Sequence, residues 1–189
     1  MIVRLTAGLV LAWGLAGCAT STPVPPGVAD QVASTRWTFQ GRVGIQTAED
    51  SLSGQLRWQH HADGDELLVT SPLGQGVARI ERNAQGVVLE VPNQPARHSL
   101  DAESLTRDVL GYGLPVSGLA WWMQAQPAPG RPFEITRRDT AGRVAQLRQD
   151  GWVIDYLQYV EDQPLRPRKL VVAREGLVIR LVADSWRNE

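Results

Sequence analysis

The chain has a single cysteine, Cys18, and its position predicts a definite chemical modification. Cys18 ends the segment Leu15–Cys18, of sequence LAGC, which follows one basic residue, Arg4, and an apolar run. This order of residues matches the bacterial lipobox, in which cleavage of a signal peptide leaves a lipid-modified cysteine as the new first residue. We therefore predict a lipoprotein signal peptide over residues 1–17 and lipidation of Cys18. A plain signal peptide beside a free thiol is the alternative.

The other chemically reactive side chains form no recognisable catalytic, metal or cofactor set. His60 and His61 are adjacent, so they face opposite sides of a strand, and His98 has no cysteine or paired carboxylate nearby. The segment Gly111–Gly113 begins like a dinucleotide-binding loop, but a helical pattern rather than a strand precedes it. A Gly-x-Ser-x-Gly nucleophile motif is absent from the sequence. We therefore expect no enzyme, no bound metal and no cofactor.

The charge and composition favour one globular domain and exclude several classes of partner. The 189 residues include 19 Lys and Arg against 20 Asp and Glu, a net charge of −1, which creates no field to attract nucleic acid. The mixed charges and seven tryptophans do not fit a coiled coil or a disordered polymer. We predict a flexible, proline-containing tether over residues 18–30 and a folded body over residues 31–189.

The elements that must position any binding site are mainly β-strands. Apolar and polar residues alternate with a period of two in several runs between residues 37 and 91, and turn signals separate these runs. Asp101 and Gly111 fit the two caps of a helix, and a second short helix follows Pro115. The alternation returns at Phe133 and continues to Ala183. The pattern predicts a meander of about ten or eleven antiparallel strands, interrupted by two helices.

The apolar faces of these strands indicate an interior that is either a ligand cavity or a packed core. Two short helices are too small to cover the concave side of a curled sheet of about ten strands, and such sheets hold greasy ligands in lipocalin-type proteins. The inward positions are bulky and nearly uncharged, and they comprise Phe39, Val43, Ile45, Leu56, Trp58, Trp152, Ile154 and Tyr156. A lipid cavity would suit an acyl chain, but the same periodicity is compatible with side chains that fill the interior.

Several short segments of the mature chain resemble one known family in their order and spacing. They are Gly41-Arg42, Leu56–Trp58, Ser71–Gly74, Pro115-Val116 with Leu119 and Trp122, Gly151–Tyr159, Ile179–Leu181 and Trp186. With the lipobox in front, this series resembles the LolB family, outer-membrane receptors that accept lipoproteins from the periplasmic carrier LolA. The resemblance implies an open, incomplete antiparallel β-barrel whose short helices form a lid over a hydrophobic cavity, with Trp122 as a further cavity residue.

The resemblance also gives one turn a specific role. LolB proteins carry a loop after an early strand, and its exposed leucine is implicated in delivering the client to the bilayer. Leu73 looks like the counterpart of that leucine. Pro72 fixes φ and Gly74 permits positive φ, so this turn should point Leu73 outward. Leu73, Pro72 and Gly74 form the predicted membrane insertion loop; a Leu73 that folds back onto the core is the alternative.

The function that the resemblance implies is transfer of lipoproteins to the outer membrane. The expected partners are LolA, the acyl chains of client lipoproteins and outer-membrane lipids, and the expected state is a monomer. The expected location is the periplasmic face of the outer membrane of a Gram-negative bacterium, because Ala19 and Thr20 stand where an inner-membrane retention signal would place Asp. The alternative is a structural or envelope-assembly lipoprotein with a filled β core that binds a protein partner.

Overall fold

The computed structural model describes residues 33–163 and 166–188. The predicted signal peptide, Cys18 and the tether lie outside these residues, so the predicted boundaries there stay predictions. The strands are β1 (Trp37–Thr47), β2 (Ser51–His61), β3 (Gly64–Thr70), β4 (Gly76–Asn83), β5 (Gly86–Glu90), β6 (Arg97–Ser99), β7 (Phe133–Arg138), β8 (Val144–Gln149), β9 (Trp152–Tyr159), β10 (Pro167–Arg174) and β11 (Leu177–Asn188). The helices are α1 (Ala102–Leu110) and α2 (Val116–Trp122).

The strands form one antiparallel sheet with two free edges. Its order is β6-β5-β4-β3-β2-β1-β11-β10-β9-β8-β7. Strands that are consecutive in sequence are neighbours, except β6 and β7, and β1 pairs with β11. That pairing joins the first and the second half of the chain, and β6 and β7 are left at the edges. The predicted mainly-β, open antiparallel architecture with two short helices is therefore confirmed.

The two helices lie in the segment that connects the two edge strands. α1 packs on β5 and β6, whereas the end of α2 is bonded to β8 and β9 through Trp122, described below. Asp101 accepts a hydrogen bond from the backbone N–H of Ser104 (2.7 Å), and Gly111 ends α1 with φ of 85°. Both predicted caps of the first helix are thus present, and the helices extend from one edge of the sheet towards the other.

A close approach of two backbones explains the glycine in the middle of β1. A Cβ atom at Gly41 would lie 2.2 Å from the carbonyl oxygen of Val182 and 2.6 Å from the ring of Phe39. The register between β1 and β11 shifts at the bulge between Gln40 and Gly41. Only glycine fits this position, which lets the longest strand pair of the sheet bend.

The alternation did not predict the edge strand β6. Only three residues pair there, Arg97–Ser99 with Val87–Leu89, and the side chains of β6 are largely exposed. Three residues are too few to show an alternation of apolar and polar side chains, and β6 has no buried face that would produce one. β11 also continues to Asn188, beyond the predicted limit at Ala183, because it pairs with β1 over that strand's whole length.

Aromatic side chains fill the interior at the beginning of β1. We call this group, formed by Trp37, Phe39, Trp58 and Trp186, the aromatic cluster. Ring centroids lie 5.3 Å apart for Trp37 and Trp58, 5.3 Å for Trp37 and Trp186, and 5.0 Å for Phe39 and Trp186. Tilted and edge-on rings at these distances pack favourably and leave little space between them. This end of the interior is a packed core.

A buried carboxylate beside the aromatic cluster ties β2, β3 and β4 together. The fully buried side chain of Asp65 accepts hydrogen bonds from Trp58 Nε1 (2.9 Å) and Arg82 Nε (2.7 Å), and His60 Nδ1 lies 2.6 Å from it. Burial alone would raise the pKa of Asp65, but the His60 hydrogen bond, the Arg82 charge and the Trp58 hydrogen bond together lower it below 3.8. The carboxylate is therefore charged and fully bonded, which favours a structural role.

Candidate functional site

The interior at the other end of β1 contains an apolar cavity of about 150 Å³. All of its lining residues are aliphatic or aromatic, and Tyr112 is the one among them that carries a hydroxyl. The lining residues are Val43, Ile45, Leu52, Leu56, Trp58, Leu67, Val69, Val77, Ala78, Ile80, Val91, Leu110, Tyr112, Leu114, Leu119, Ile179 and Leu181. The strands β1 to β4 and β11 supply most of the wall, and the rest comes from Val91, just after β5, and from the segment between the end of α1 and α2. The interior is thus filled at one end and hollow at the other.

The structure divides the predicted cavity residues into two groups. All nine are buried. Val43, Ile45, Leu56 and Trp58 line the apolar cavity. Phe39, Trp122, Trp152, Ile154 and Tyr156 lie in the surrounding core and contribute nothing to this cavity's wall. The period of two identifies side chains that point inward, but it carries no information about where along a strand the interior is left unfilled.

Several lining residues escaped the prediction although some of them carry a readable signal. Leu67, Val69 and Ile80 belong to runs that the alternation had identified as strands, so the same inward-facing rule could have found them. Leu110 and Leu114 come from the end of α1 and the connection to α2. No period of two or 3.6 marks a connection, and only the folded chain places these residues over the cavity.

The core residues around Trp122 attach α2 to the sheet. Trp122 Nε1 donates a hydrogen bond to Gln149 Oε1 (2.8 Å), and the Tyr156 hydroxyl donates to the backbone oxygen of Trp122 (2.8 Å). The rings of Trp122 and Trp152 lie with their centroids 6.2 Å apart. Burial raises the pKa of Tyr156 well above its ordinary value, so its hydroxyl stays a neutral donor. These residues fix the helix that covers the interior.

Leu73 lies at the tip of the turn between β3 and β4, and its side chain is 90% exposed. The turn is closed by backbone hydrogen bonds from Gly74 N–H to Ser71 O (2.9 Å) and from Ser71 N–H to Gln75 O (2.7 Å). Gly74 has φ of 83°, which glycine adopts without strain. The outward orientation of Leu73 therefore follows from the backbone of the turn.

The cavity reaches the base of the Leu73 turn. Val69 on β3 and Val77 on β4 line the cavity, and each is four residues from Leu73 along the chain. Residues 67–78 contain no charged side chain. The uncharged end of the β3–β4 hairpin therefore connects the apolar cavity with the exposed side chain of Leu73.

The described histidines are not arranged as a metal site. His60 stacks on Trp37, with ring centroids 5.0 Å apart, and contacts Asp65. Over residues 33–163 and 166–188, no group of three or more His, Cys, Asp or Glu side chains is placed to hold a metal ion. In the same residues, no helix is long and apolar enough to span a bilayer.

Comparison with known sequences identifies the family. The family model described as "LolB: Outer membrane lipoprotein LolB" matches residues 35–186, which is most of the chain. The chain belongs to the LolB family. The LolB outer-membrane lipoprotein of Thiobacillus denitrificans is 57% identical over 185 residues and covers 98% of both chains. The LolB outer-membrane lipoprotein of Azoarcus sp. is 37% identical over 173 residues, which is 91% of this chain and 89% of the relative.

The fold also resembles a solved structure with little sequence similarity. A putative outer membrane lipoprotein-sorting protein domain from Vibrio parahaemolyticus superposes with a TM-score of 0.50 and 12% identity, over 80% of this chain and 84% of that one. At this identity the likeness shows a shared fold alone. LolB family membership confirms the resemblance read from the sequence. The chain is a non-enzymatic outer-membrane lipoprotein that receives lipoproteins from LolA and inserts them into the outer membrane.

Proposed function

We propose that the apolar cavity binds the acyl chains of client lipoproteins and that the Leu73 turn passes them to the bilayer. One observation carries this proposal: the wall of the cavity runs directly into the hairpin whose tip exposes Leu73. The cavity lining offers hydrocarbon on all sides and one hydroxyl, which suits an acyl chain better than a peptide or a charged ligand.

Transfer without a chemical energy source requires a continuous apolar path. The periplasm supplies no ATP, so affinity for the chains must rise from LolA to this receptor and then to the outer membrane. Each methylene that becomes exposed to water costs about 0.8 kcal/mol, so exposure of a whole chain is prohibitive. We therefore propose that LolA docks with its cavity facing this one. The chains then slide from one cavity to the other without crossing water.

The size of the cavity implies that it enlarges when a chain enters. A cavity of about 150 Å³ is known to hold a molecule the size of benzene. A long acyl chain needs more volume. The sheet side of the wall is held by strand pairing. The opposite side is formed by Leu110 at the end of α1 and by Tyr112 and Leu114 in the connection to α2, which lies outside the sheet. We propose that this connection moves outward as the chain enters.

Insertion of Leu73 into the bilayer has a moderate energetic effect. Burial of one leucine side chain stabilises by about 1.5 to 3 kcal/mol. This is enough to favour contact between the hairpin tip and the acyl region, but it is too little to anchor the protein. Anchoring belongs to the proposed lipid on Cys18, whose chains are far larger. Leu73 then serves to perturb the leaflet where the client leaves the cavity.

The test compares Leu73→Glu with Leu100→Glu, which alters another leucine that is 88% exposed. A triacylated lipoprotein is presented on LolA, and its transfer to the receptor and then to liposomes of outer-membrane lipids is measured. We expect Leu73→Glu to accept the client and to release little of it, because a charged tip does not enter the bilayer. Leu100→Glu should do both steps normally. Undiminished release by Leu73→Glu would contradict the insertion role.

A further inference from the structure

A second, polar groove of about 530 Å³ adjoins the apolar cavity. The turn between β1 and β2, the end of α1 and the turn between β10 and β11 enclose it. Its lining residues are Thr47, Ala48, Glu49, Asp50, Leu110, Gly111, Tyr112, Gly113, Arg174, Glu175, Gly176 and Leu177. Leu110 and Tyr112 line both spaces, so they form the boundary between the apolar cavity and the polar groove.

Tyr112 places an unpaired hydrogen-bond donor on this boundary. Its side chain is half-buried, and its hydroxyl makes no hydrogen bond to the part of the chain that the structure describes. Burial and the nearby charge of Asp50 raise the pKa of Tyr112 above its ordinary value, so the hydroxyl stays protonated. Among the residues that line the apolar cavity, Tyr112 alone carries a hydroxyl, and the indole N–H of Trp58 already donates to Asp65.

The rest of the polar groove is open and rich in polar groups. Arg174 is held in place by Glu103, whose carboxylate accepts its hydrogen bond, and by the ring of Trp152, 4.3 Å from the guanidinium carbon. A Cβ atom built on Gly111 or Gly176 would meet nothing within 4 Å, so the walls there leave free space. A volume of several hundred Å³ with a few fixed polar groups is typical of a small-ligand site.

The lipid anchor of a lipoprotein has an apolar part, which suits the apolar cavity, and a polar part, which suits the polar groove. Its acyl chains are joined to the peptide by ester and amide linkages, and ester carbonyl oxygens accept hydrogen bonds but donate none. A carbonyl that leaves water without finding a donor is costly. A site that takes the chains fully must therefore offer a donor where the hydrocarbon ends, and Tyr112 is the residue that provides one at the cavity boundary.

We infer that the polar groove holds the ester and amide linkages and the first peptide residues of the client, while the chains occupy the apolar cavity. Tyr112 marks the border, and its hydroxyl donates to a carbonyl oxygen of the linkage. This inference rests on the proposed acyl-binding function. It assigns a second subsite with a different chemistry, so the receptor recognises the junction between lipid and peptide as well as the hydrocarbon.

The test separates binding of the linkage from binding of hydrocarbon. The mature chain with Cys18→Ala is titrated with N-phenyl-1-naphthylamine, an apolar reporter without a carbonyl group, and the reporter is then displaced with a synthetic tripalmitoylated lipopeptide. Tyr112→Phe should bind the reporter with unchanged affinity and require roughly fivefold more lipopeptide for displacement, as expected for one lost neutral hydrogen bond. Tyr159→Phe is the matched control, since its hydroxyl donates to the Val144 carbonyl away from both spaces.

A second variant tests the groove without touching the cavity wall. Ala48→Trp places a large side chain in the groove from an exposed turn position, so its fold should be retained. It should weaken lipopeptide binding and leave reporter binding unchanged. This inference, but not the acyl-binding proposal, would be overturned by either of two results. One is that lipopeptide displaces the reporter from both Tyr112→Phe and Ala48→Trp as it does from wild type; the other is that the variants lose affinity for reporter and lipopeptide equally. A wild-type protein that binds neither probe would overturn the acyl-binding proposal as well.

Discussion

The carboxylate of Asp65 is fully buried, and three donors from two strands surround it. Because its pKa is lowered on folding, Asp65 stabilises the fold above its ordinary pKa of 3.8, and this contribution is lost as the pH falls through the lower folded value. We expect Asp65→Asn to cost about 3 kcal/mol at pH 7, since it leaves Arg82 without its charged partner.

Urea unfolding as a function of pH measures this contribution. Wild type should lose stability more steeply than Asp65→Asn below pH 4, so the two free energies of unfolding should converge on acidification. Asp63→Asn is the control, because Asp63 is exposed in the adjacent turn. An identical acid dependence in wild type and Asp65→Asn would show that the buried carboxylate does not contribute as described.

Ala78 is the smallest side chain in the wall of the apolar cavity. We expect Ala78→Trp to fill much of the cavity and to lower the affinity for N-phenyl-1-naphthylamine at least tenfold, because the indole takes the space of the ligand. Ala84→Trp adds the same side chain at an exposed turn position and should bind normally. Circular dichroism checks that both variants keep the β-fold. Normal reporter binding by a folded Ala78→Trp would place the reporter site elsewhere.

At the scale of elements, α2 depends on one glutamine of β8. Gln149 Oε1 accepts hydrogen bonds from Trp122 Nε1 and from the Ala128 backbone N–H, each at 2.8 Å. Gln149→Leu leaves these donors unpaired, which should cost about 1 to 3 kcal/mol. Hydrogen exchange should accelerate in α2 more than in the central strands. Gln146→Leu, whose partners are near the surface, is the control; equal acceleration in both variants would argue against this anchor.

The elements themselves could largely be predicted from the sequence, because each has a local signal. Alternation marks β1 and β2, and the Asp101 cap and the glycine at position 111 mark the ends of α1. The position of the cavity has no such signal. Phe39 and Val43 follow the same alternation on one strand, yet Phe39 packs against Trp186 and Val43 faces the cavity. Whether an inward side chain packs against another side chain or lines the cavity depends on residues that are distant in sequence.

The same distinction applies to the functional residues. The outward orientation of Leu73 is encoded by its neighbours Pro72 and Gly74, so it could be predicted. The place of Tyr112 between two spaces could not be predicted. It depends on Asp50 and Arg174, which the fold brings to the end of α1 from opposite halves of the chain. Local turn chemistry is readable from sequence, whereas a boundary between two cavities is a property of the assembled sheet.

At the scale of the whole molecule, ligand binding should stabilise the native state and protect one region. A ligand at one hundred times its Kd adds about 2.7 kcal/mol to the free energy of unfolding if it binds only the folded chain. We expect the tripalmitoylated lipopeptide to raise the Tm and to slow hydrogen exchange chiefly over residues 102–114. Ala78→Trp should show neither effect. A Tm shift of equal size in Ala78→Trp would mean that the lipopeptide binds outside the cavity.

The free edges of the sheet have a consequence for the range of cargo. β6 and β7 end the sheet without pairing to each other in the part of the chain that the structure describes, and the segment that carries α1 and α2 connects them. Moving the two edge strands apart bends the sheet without breaking any inter-strand hydrogen bond. The enthalpic cost of enlarging the interior is therefore small. A closed β-barrel would fix the diameter of the interior. The interior of this open sheet can expand gradually, so one receptor can bind acyl chains of different lengths.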